Sequence, residues 1–410
     1  MPPISFAQRI APTTVVGSRG PENAVSGNII PDIQEGLVRY VNSAAPYTAL
    51  LNGKGDSIER RSSTNYQPQW MEKDVLPPFF ELGATMNPGD TTITVATDHW
   101  KRMSAGYVFR HPTSKERIRV GTDPTTTSVV VRRSIGGTTA GTYAAGERFY
   151  LAGVAYEDGQ DTPRAIHVIE TLKYTNCQIF RTPLKLTGRS LNTDFYSGND
   201  WENEKFEKKI EHMRAIEYAG FYGVRDSFSG SEHLITMTDG LESRIVSKVW
   251  GMNLADLSWA LICDLAREAL QWGKGGYWSG GQRLKYWFVP AVVLNKIAEV
   301  VHPQVFYDPG EEITLGVTVK YLLTPLGKLA LVHTPMLDEI SQMASGGTLA
   351  DSFIVDLNHV MLRPHQGRDT KLLDNRQGNG LDAQIAEYFT DAGFQIELED
   401  AHTKVEFTLT

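Results

Sequence analysis

The chain has 410 residues and a formal net charge of −8, with 41% hydrophobic and 21% charged residues. This length exceeds the usual size of one domain, so we expect two or three substructures, each able to build a core. The acidic balance argues against a protein whose main task is to grip nucleic acid, because such proteins usually carry a basic face. The two cysteines, Cys177 and Cys263, lie outside any CxxC or Cys/His cluster, so we expect two small buried side chains in a reducing compartment.

The first 31 residues are rich in Gly, Pro, Ser and Thr, and they cannot bury enough apolar surface to fold alone. We expect residues 1–31 to be a disordered tail or an arm that becomes ordered on a neighbour. They lack the basic start and apolar run of a signal peptide, and no stretch of the chain reaches the ~18 apolar residues of a membrane span. A helix is predicted from Asp32 to about Ala45, within the segment 32–56, with Pro46 ending it.

Two extended segments, 57–84 and 156–190, are rich in β-branched and aromatic residues, including Trp70, Phe79 and Phe80. Because these segments flank an insertion, they are predicted to form the two legs of a protruding β-hairpin.

The insertion, residues 85–155, contains five short β-runs separated by turn signals. Such regular short strands predict a small all-β barrel or sandwich. We expect the hairpin legs to support it, because an insertion of this size is near the lower limit for an independent domain. The basic pair Arg132-Arg133 is expected on the solvated surface.

The segment 200–223 predicts a long charged helix, capped by Asn199 or Asp200. Phe206, Ile210 and Met213 recur at helical spacing and form a narrow apolar line along it. The line continues through Ile216, Gly220 and Phe221, and Glu217 borders it. This pattern predicts a helix anchored along one seam, with its charged faces toward solvent or a neighbouring subunit.

Residues 233–349 are typical of mixed α/β structure, and strands follow in the closing segment 350–410, whose pairing would close a sheet over the long helix. The glycine-rich loop Gly273–Gly281 lacks GxxxxGK[ST] and follows a helix rather than a strand, which argues against a phosphate site. Its aromatic residues, Tyr277 and Trp278, predict a contact surface instead.

The sequence has no HExxH, GxSxG or P-loop motif, and none of its ten histidines has a recognisable ligand spacing. We therefore predict no metal, no cofactor and no catalytic residue, which favours a structural or interaction role over an enzyme. A site assembled from distant carboxylates stays open as an alternative, because sequence alone cannot pair carboxylates across space.

Several stretches carry a resemblance through their order along the chain: "TNYQPQWMEKDVLPP", "VVVRRSIGGTTAGTYAAGERFYLAG", "NCQIFRTPLKLTGRS", "MTDGLESRIVSKV" and "DSFIVDLNHVMLRP". Together with the arm, the long hairpin, the charged helix and the closing strands, they resemble the major capsid protein of tailed phages, which has the Hong Kong 97 fold. The resemblance covers about residues 33–409 and extends to a subfamily with a β-domain inserted in its extended loop. It implies an α+β fold.

The resemblance also implies a division of the chain into the family's parts. These are an N-terminal arm (1–31), an N-terminal helix (32–56), an extended loop (57–84 and 156–190), an inserted β-domain (85–155), a peripheral domain (191–232 and 350–410) with a spine helix (200–223), and an axial domain (233–349).

The function implied by the resemblance is structural: self-assembly through hexamers and pentamers into an icosahedral head shell around double-stranded DNA, without sequence-specific binding. The implied partners are other copies, a portal, and possible scaffold and decoration proteins, with no membrane. The chain would be made in the host cytoplasm and reside in the virion capsid. The alternative is a phage tail or head-decoration protein with a carbohydrate- or surface-binding β-module. Assembly contacts are expected at Trp70, Phe79, Phe80, Phe206, Ile210, Met213, Tyr277 and Trp278.

Overall fold

The structure, a computed structural model, describes residues 45–53, 62–159, 162–194, 199–277, 283–301, 312–314, 317–343 and 348–409. Two compact units divide the chain. One is Gln67–Thr175, called the barrel unit below, and the other comprises the residues on both sides of it, called the main unit. The predicted arm 1–31, and the predicted helix before Ala45, lie outside the described residues.

The described residues contain seven α-helices. They are α1 (Pro46–Gly53), α2 (Gly188–Leu191), α3 (Asp200–Tyr222), α4 (Leu241–Arg244), α5 (Trp259–Ala269), α6 (Ala291–Val300) and α7 (Pro335–Met343). The strands of the barrel unit are β1 (Gln69–Glu72), β2 (Phe79–Glu81), β3 (Thr92–Thr94), β4 (Tyr107–Arg110), β5 (Arg117–Val120), β6 (Ser128–Arg132), β7 (Arg148–Val154) and β8 (Thr171–Tyr174).

The strands of the main unit follow in chain order. They are β9 (Gln178–Thr187), β10 (Asp226–Ser229), β11 (Leu234–Met237), β12 (Val249–Asn253), β13 (Leu284–Val289), β14 (Glu312–Thr314), β15 (Val317–Thr324), β16 (Gly327–His333), β17 (Leu349–Val355), β18 (Val360–Pro364), β19 (Lys371–Leu373), β20 (Ala383–Ile396) and β21 (Thr403–Thr408).

Six strands of the barrel unit form one sheet in the order β2-β7-β4-β5-β6-β3. Its two end strands meet, because Leu82 pairs with Val95 and the Gly83 N–H donates to the Thr94 carbonyl at 2.8 Å. The sheet therefore closes on itself around an apolar core. The core residues are Phe80, Leu82, Met86, Ile93, Val95, Met103, Phe109, Ile118, Val120, Val129, Val131, Tyr143 and Phe149.

The strand predictions hold in this part of the chain. Each of the five predicted β-runs contains a strand, because alternating apolar residues mark one buried face of each. The sheet also includes β2, so it begins at Phe79 and not within the predicted span 85–155. The predicted pairing of the two legs is confirmed where β1 and β8 run antiparallel.

A buried ion pair links the ends of β5 and β6. The Glu116 carboxylate accepts two hydrogen bonds from the Arg133 guanidinium, at 2.8 and 2.9 Å, and one each from the Tyr143 hydroxyl and the Gly141 N–H. Burial raises the pKa of Glu116, but these hydrogen bonds and the positive charge hold it below its usual range. The expectation that Arg133 lies on the solvated surface is wrong, because its side chain is buried against Glu116, the residue just before the neighbouring strand β5.

A seven-stranded sheet, in the order β12-β21-β17-β13-β16-β15-β14, forms the centre of the main unit. Helices α5 and α6 share a core with one of its faces, to which Trp287 and Leu331 belong. The other face carries Phe288 and Val332, which share a core with α1, the C-terminal end of α3 and β20. Pro290 stands between β13 and α6, as the sequence predicts.

Strand β20 is the central strand of a second sheet. Ten consecutive residue pairs join it to β9, from Gln178↔Ala392 to Thr187↔Ala383, and its other edge pairs with β18 and β19. Helix α3 packs against β9 and β20. The long charged helix therefore lies on this sheet.

The closing strands pair as predicted, but in two different sheets. Strand β18 pairs with β20, whereas β17 pairs with β21 inside the seven-stranded sheet. The predicted boundary at residue 349/350 therefore does not separate two sheets, since β17 lies beside β13.

Whereas the predicted helix before it lies outside the described residues, Pro46 itself begins helix α1. Its fixed φ suits the first helical position, where its missing N–H leaves no hydrogen bond unmade. The Glu217 carboxylate on α3 accepts from the next N–H groups, Tyr47 at 2.9 Å and Thr48 at 2.8 Å, and from the Thr48 hydroxyl at 2.6 Å. A buried acid on α3 thus satisfies the free donors at the start of α1. A Cβ on Gly220 would stand 2.7 Å from the Tyr47 ring, so glycine permits this close approach.

Glu217 should make the stability of the main unit depend on pH. Burial raises its pKa to about 7, although the hydrogen bonds from Thr48 and Tyr47 act in the opposite direction. An unfolded glutamate has a pKa of about 4.3. The contribution of Glu217 to the free energy of unfolding is therefore fully present below that pH, and it is lost as pH rises through the folded pKa near 7.

The variant Glu217→Gln cannot titrate, so its urea midpoint should vary less between about pH 5 and 8 than that of the wild type. It should also be less stable by about 1–3 kcal/mol at low pH, because an amide cannot accept from both sides. Equal pH slopes in the two proteins would contradict this role of Glu217.

Arg132, the last residue of β6, and Arg133, which follows it, should differ sharply when each is changed to Gln. Arg133→Gln leaves the buried Glu116 charge unpaired and should cost about 3–5 kcal/mol of barrel stability. Arg132→Gln, its matched control on the exposed face, should stay within about 0.5 kcal/mol of the wild type. Thermal unfolding measures both, and equal melting temperatures would show that the buried pair is unimportant.

Candidate assembly surfaces

The hairpin of β1 and β8 presents an apolar face to solvent. Met71 and Leu172 lie directly opposite each other, and 75% and 58% of their surfaces are exposed. Tyr174 lies on the same side, two residues along the strand, and is also exposed. An isolated two-stranded hairpin is only marginally stable in water, and an exposed apolar patch marks an interaction site. We therefore expect another protein surface to cover this side of the hairpin. Met71, Leu172 and Tyr174 are called the hairpin face below.

The aromatic residues predicted as contacts in the first leg divide between surface and core. Trp70 is half-buried on the other side of the hairpin, and its Nε1–H donates to Glu72 at 2.7 Å. Phe79 points outward and carries the Arg148 guanidinium 4.7 Å above its ring. Phe80 is fully buried in the barrel, so it is a core residue and not a surface contact.

Helix α3 buries the predicted apolar line only in its C-terminal half, where Ile216, Gly220 and Phe221 are fully buried. Phe206 is 53% exposed, whereas Ile210 and Met213 are half-buried. Asn199 caps the helix, accepting from the N–H groups of the first turn. The residues that α3 buries fully are Trp201, His212, Ile216, Glu217, Gly220 and Phe221.

Polar contacts explain why the N-terminal half of the predicted apolar line is not fully buried. The two ring nitrogens of His212 lie 3.0 Å from Thr182 Oγ1 on β9 and 2.7 Å from Thr390 Oγ1 on β20. Burial lowers the pKa of His212, which favours the neutral ring. A buried histidine thus faces the sheet in this half of the helix, and Phe206 is left on the solvent side.

As far as Tyr277, the glycine-rich loop packs against the rest of the main unit. Tyr277 is half-buried, packs against the core around α5, and donates its N–H to the Leu270 carbonyl at 2.7 Å. The Gly275 N–H donates to the Asp356 carboxylate at 2.6 Å. Tyr277 therefore stabilises the fold and is not part of an exposed contact surface. Trp278 lies outside the described residues.

A second exposed hairpin, β10–β11, was not identified from the sequence. Phe228, Leu234 and Ile235 are all exposed on it. The Thr236 hydroxyl donates to the Cys177 carbonyl, which connects the hairpin to the start of β9. The signal in the sequence is weak, because each strand has four residues and a single Gly marks the turn.

The described part of the chain holds no group of three His, Cys, Asp or Glu residues placed to bind a metal ion. Within the same residues, no helix is long and apolar enough to cross a membrane. Both cysteines are free thiols, and burial raises the pKa of Cys177 to about 12, so this thiol stays protonated.

Comparison with known proteins gives a family match over nearly the whole chain. Residues 13–408 match the family described as SU10 major capsid protein. No curated protein matches the chain. Similar solved structures include Mycobacterium phage Ogopogo (10% identity, TM-score 0.47, 92% of this chain and 97% of that one) and the capsid of Myoviridae phage XM1 (12%, 0.42, 97% and 100%). The capsid of a native GTA particle is also similar (8% identity, TM-score 0.45, 95% and 97%).

The resemblance inferred from the order of the sequence motifs is thereby confirmed. The surfaces described above agree with it, because they expose apolar side chains to solvent. Since the match leaves only the two short ends of the chain outside it, the chain belongs to the SU10 major capsid protein family and is a structural protein of a phage capsid shell.

Proposed function

We propose that copies of this chain assemble through hexamers and pentamers into an icosahedral shell around double-stranded DNA, and that the hairpin face is one of the contacts. The observation that carries this proposal is the exposure of the directly paired Met71 and Leu172. Covering each side chain would contribute about 1.5–3 kcal/mol. Because every copy repeats the contact, modest contacts add up over a closed symmetric assembly.

The order of elements supports the assignment of the family's parts. Helix α3 is the spine helix, and the β1–β8 hairpin belongs to the extended loop. The closed sheet is the inserted β-domain, reaching back to Phe79 at its start. The seven-stranded sheet holds most of the axial domain, with β9, β18, β19 and β20 in the peripheral domain. Residues 1–31 act as an arm over a neighbouring copy.

Phe206 is a second contact of the assembly. It stands on the solvent side of α3, between charged residues that form pairs within the helix, Lys205 with Glu202 and Lys208 with Glu211. An exposed phenyl group framed by satisfied charges fits the anatomy of an interface, in which an apolar centre has a polar rim.

The proposed partners follow from a shell. They are other copies, a portal, and a scaffold or decoration protein, and the chain is made in the host cytoplasm without any catalytic role. The net charge of −8 suits a wall that encloses DNA without binding it tightly.

The hairpin face can be tested on the full chain with the double variant Met71→Thr, Leu172→Thr. Threonine keeps the strand propensity and removes most of the apolar surface. Light scattering and negative-stain microscopy of the purified wild type should show shells or five- and six-fold rings, and the variant should stay unassembled at the same concentration.

Lys173→Thr, on the opposite side of the same hairpin, is the matched control and should assemble as the wild type does. Normal shells from the double variant would show that the hairpin face is not an assembly contact. A wild-type chain that stays a monomer or trimer at high concentration would contradict self-assembly by this chain alone.

A further inference from the structure

Four arginines stand together on the outer face of the closed sheet. The register places Arg110 of β4 directly opposite Arg117 of β5, and Arg119 of β5 directly opposite Arg132 of β6. Their neighbours in sequence, Phe109, Ile118, Val120 and Val131, point into the core, so the arginines point outward. Arg110, Arg117, Arg119 and Arg132 are called the arginine face below.

This arrangement is unfavourable for the isolated chain. Like charges directly opposite each other on neighbouring strands destabilise a sheet, and two such pairs lie side by side here. Residues 100–133 contain eight basic residues, Lys or Arg, and only two acidic ones, Glu116 and Asp123. Glu116 already forms an ion pair with Arg133. The remaining acid, Asp123, accepts from Ser104 and Ala105.

The described residues supply no carboxylate to the arginine face. Other cations of the same unit do have one: Arg133 pairs with Glu116, Arg148 with Glu81, and Lys101 with Asp98. Among the arginine-face residues, Arg119 donates to a neutral acceptor, the Ala155 carbonyl, at 3.0 Å. Nearby cations of the barrel unit thus have carboxylate partners within the chain, whereas the arginine face is available to an anion from another molecule.

The composition of the face fits a protein partner. No lysine occurs on β4, β5 or β6, and the row continues through aromatic residues, because Tyr150 lies opposite Arg110 and Phe79 opposite Tyr150. Protein interfaces are enriched in arginine and tyrosine and depleted in lysine. A planar guanidinium also binds a carboxylate through two parallel hydrogen bonds, which a lysine cannot do.

We propose that the arginine face docks on a carboxylate-bearing surface of a second copy of this chain. The inference rests on the self-assembly proposed above and adds an electrostatic contact to it. The barrel unit contains twelve Lys and Arg and twelve Asp and Glu, so the whole net charge of −8 lies outside it. Every copy thus carries one arginine face and, in its other unit, an excess of carboxylates. An assembly of identical copies therefore holds one acidic unit for each arginine face.

The test uses the full chain in which all four arginines of the face are changed to Gln. A matched control removes four exposed cations from the main unit: Lys185→Gln, Arg189→Gln, Lys328→Gln and Lys371→Gln. Light scattering at increasing NaCl gives the lowest concentration at which each protein assembles. We expect the arginine-face variant to need at least about tenfold more protein at 0.1 M salt and to depend less on salt, because it lacks the screened contact.

A second measurement separates docking from a role in folding. The unassembled arginine-face variant should melt no lower than the wild type, since the substitutions remove two like-charge pairs. Unchanged assembly, or weaker assembly together with a lower melting temperature, would overturn the proposal. If both proteins assemble equally but only the wild type binds an oligothymidine, the face binds nucleic acid instead. Failure of the wild type and the control to assemble would refute the proposed self-assembly itself.

Discussion

The ladder between β9 and β20 is the constraint on which the rest of the main unit depends. It joins residues about two hundred positions apart through ten consecutive pairs, and α3 lies across these strands. Ala392, Phe394 and Ile396 on β20 enter the core that contains α1 and the inner face of the seven-stranded sheet. Without this ladder, the long helix would have no surface on which to bury His212 and Trp201.

Strand patterns could be read from the sequence where one face is buried and turns are marked. This explains why the five runs of the insertion and the junction at Pro290 were predicted. Charge and hydropathy could not reveal partners in space. Arg133 looked solvated because Glu116 meets it only across two strands. Phe206 looked buried because it continues the apolar spacing of α3, but the sheet contacts the polar His212 instead. Neither pairing leaves a local signal in the sequence.

The barrel unit shows how stability and assembly make different demands on neighbouring residues. Its interior satisfies Glu116 and Arg133 with four hydrogen-bond donors to one carboxylate. Its outside keeps like charges side by side and carries an exposed apolar hairpin face, both of which cost the isolated chain stability. The proposed assembly accounts for both features, because neighbouring copies would cover these surfaces in the shell.

Hydrogen exchange of the assembled shell against the dissociated chain tests this account most directly. The ladder of β9 and β20 should be equally protected in both states, because the chain itself closes it. The backbone amides of β1, β8 and the arginine-bearing strand β5 should exchange at least about tenfold more slowly after assembly, as neighbouring copies cover them. Equal exchange of these strands in both states would contradict the claim that copies of the chain complete its exposed surfaces.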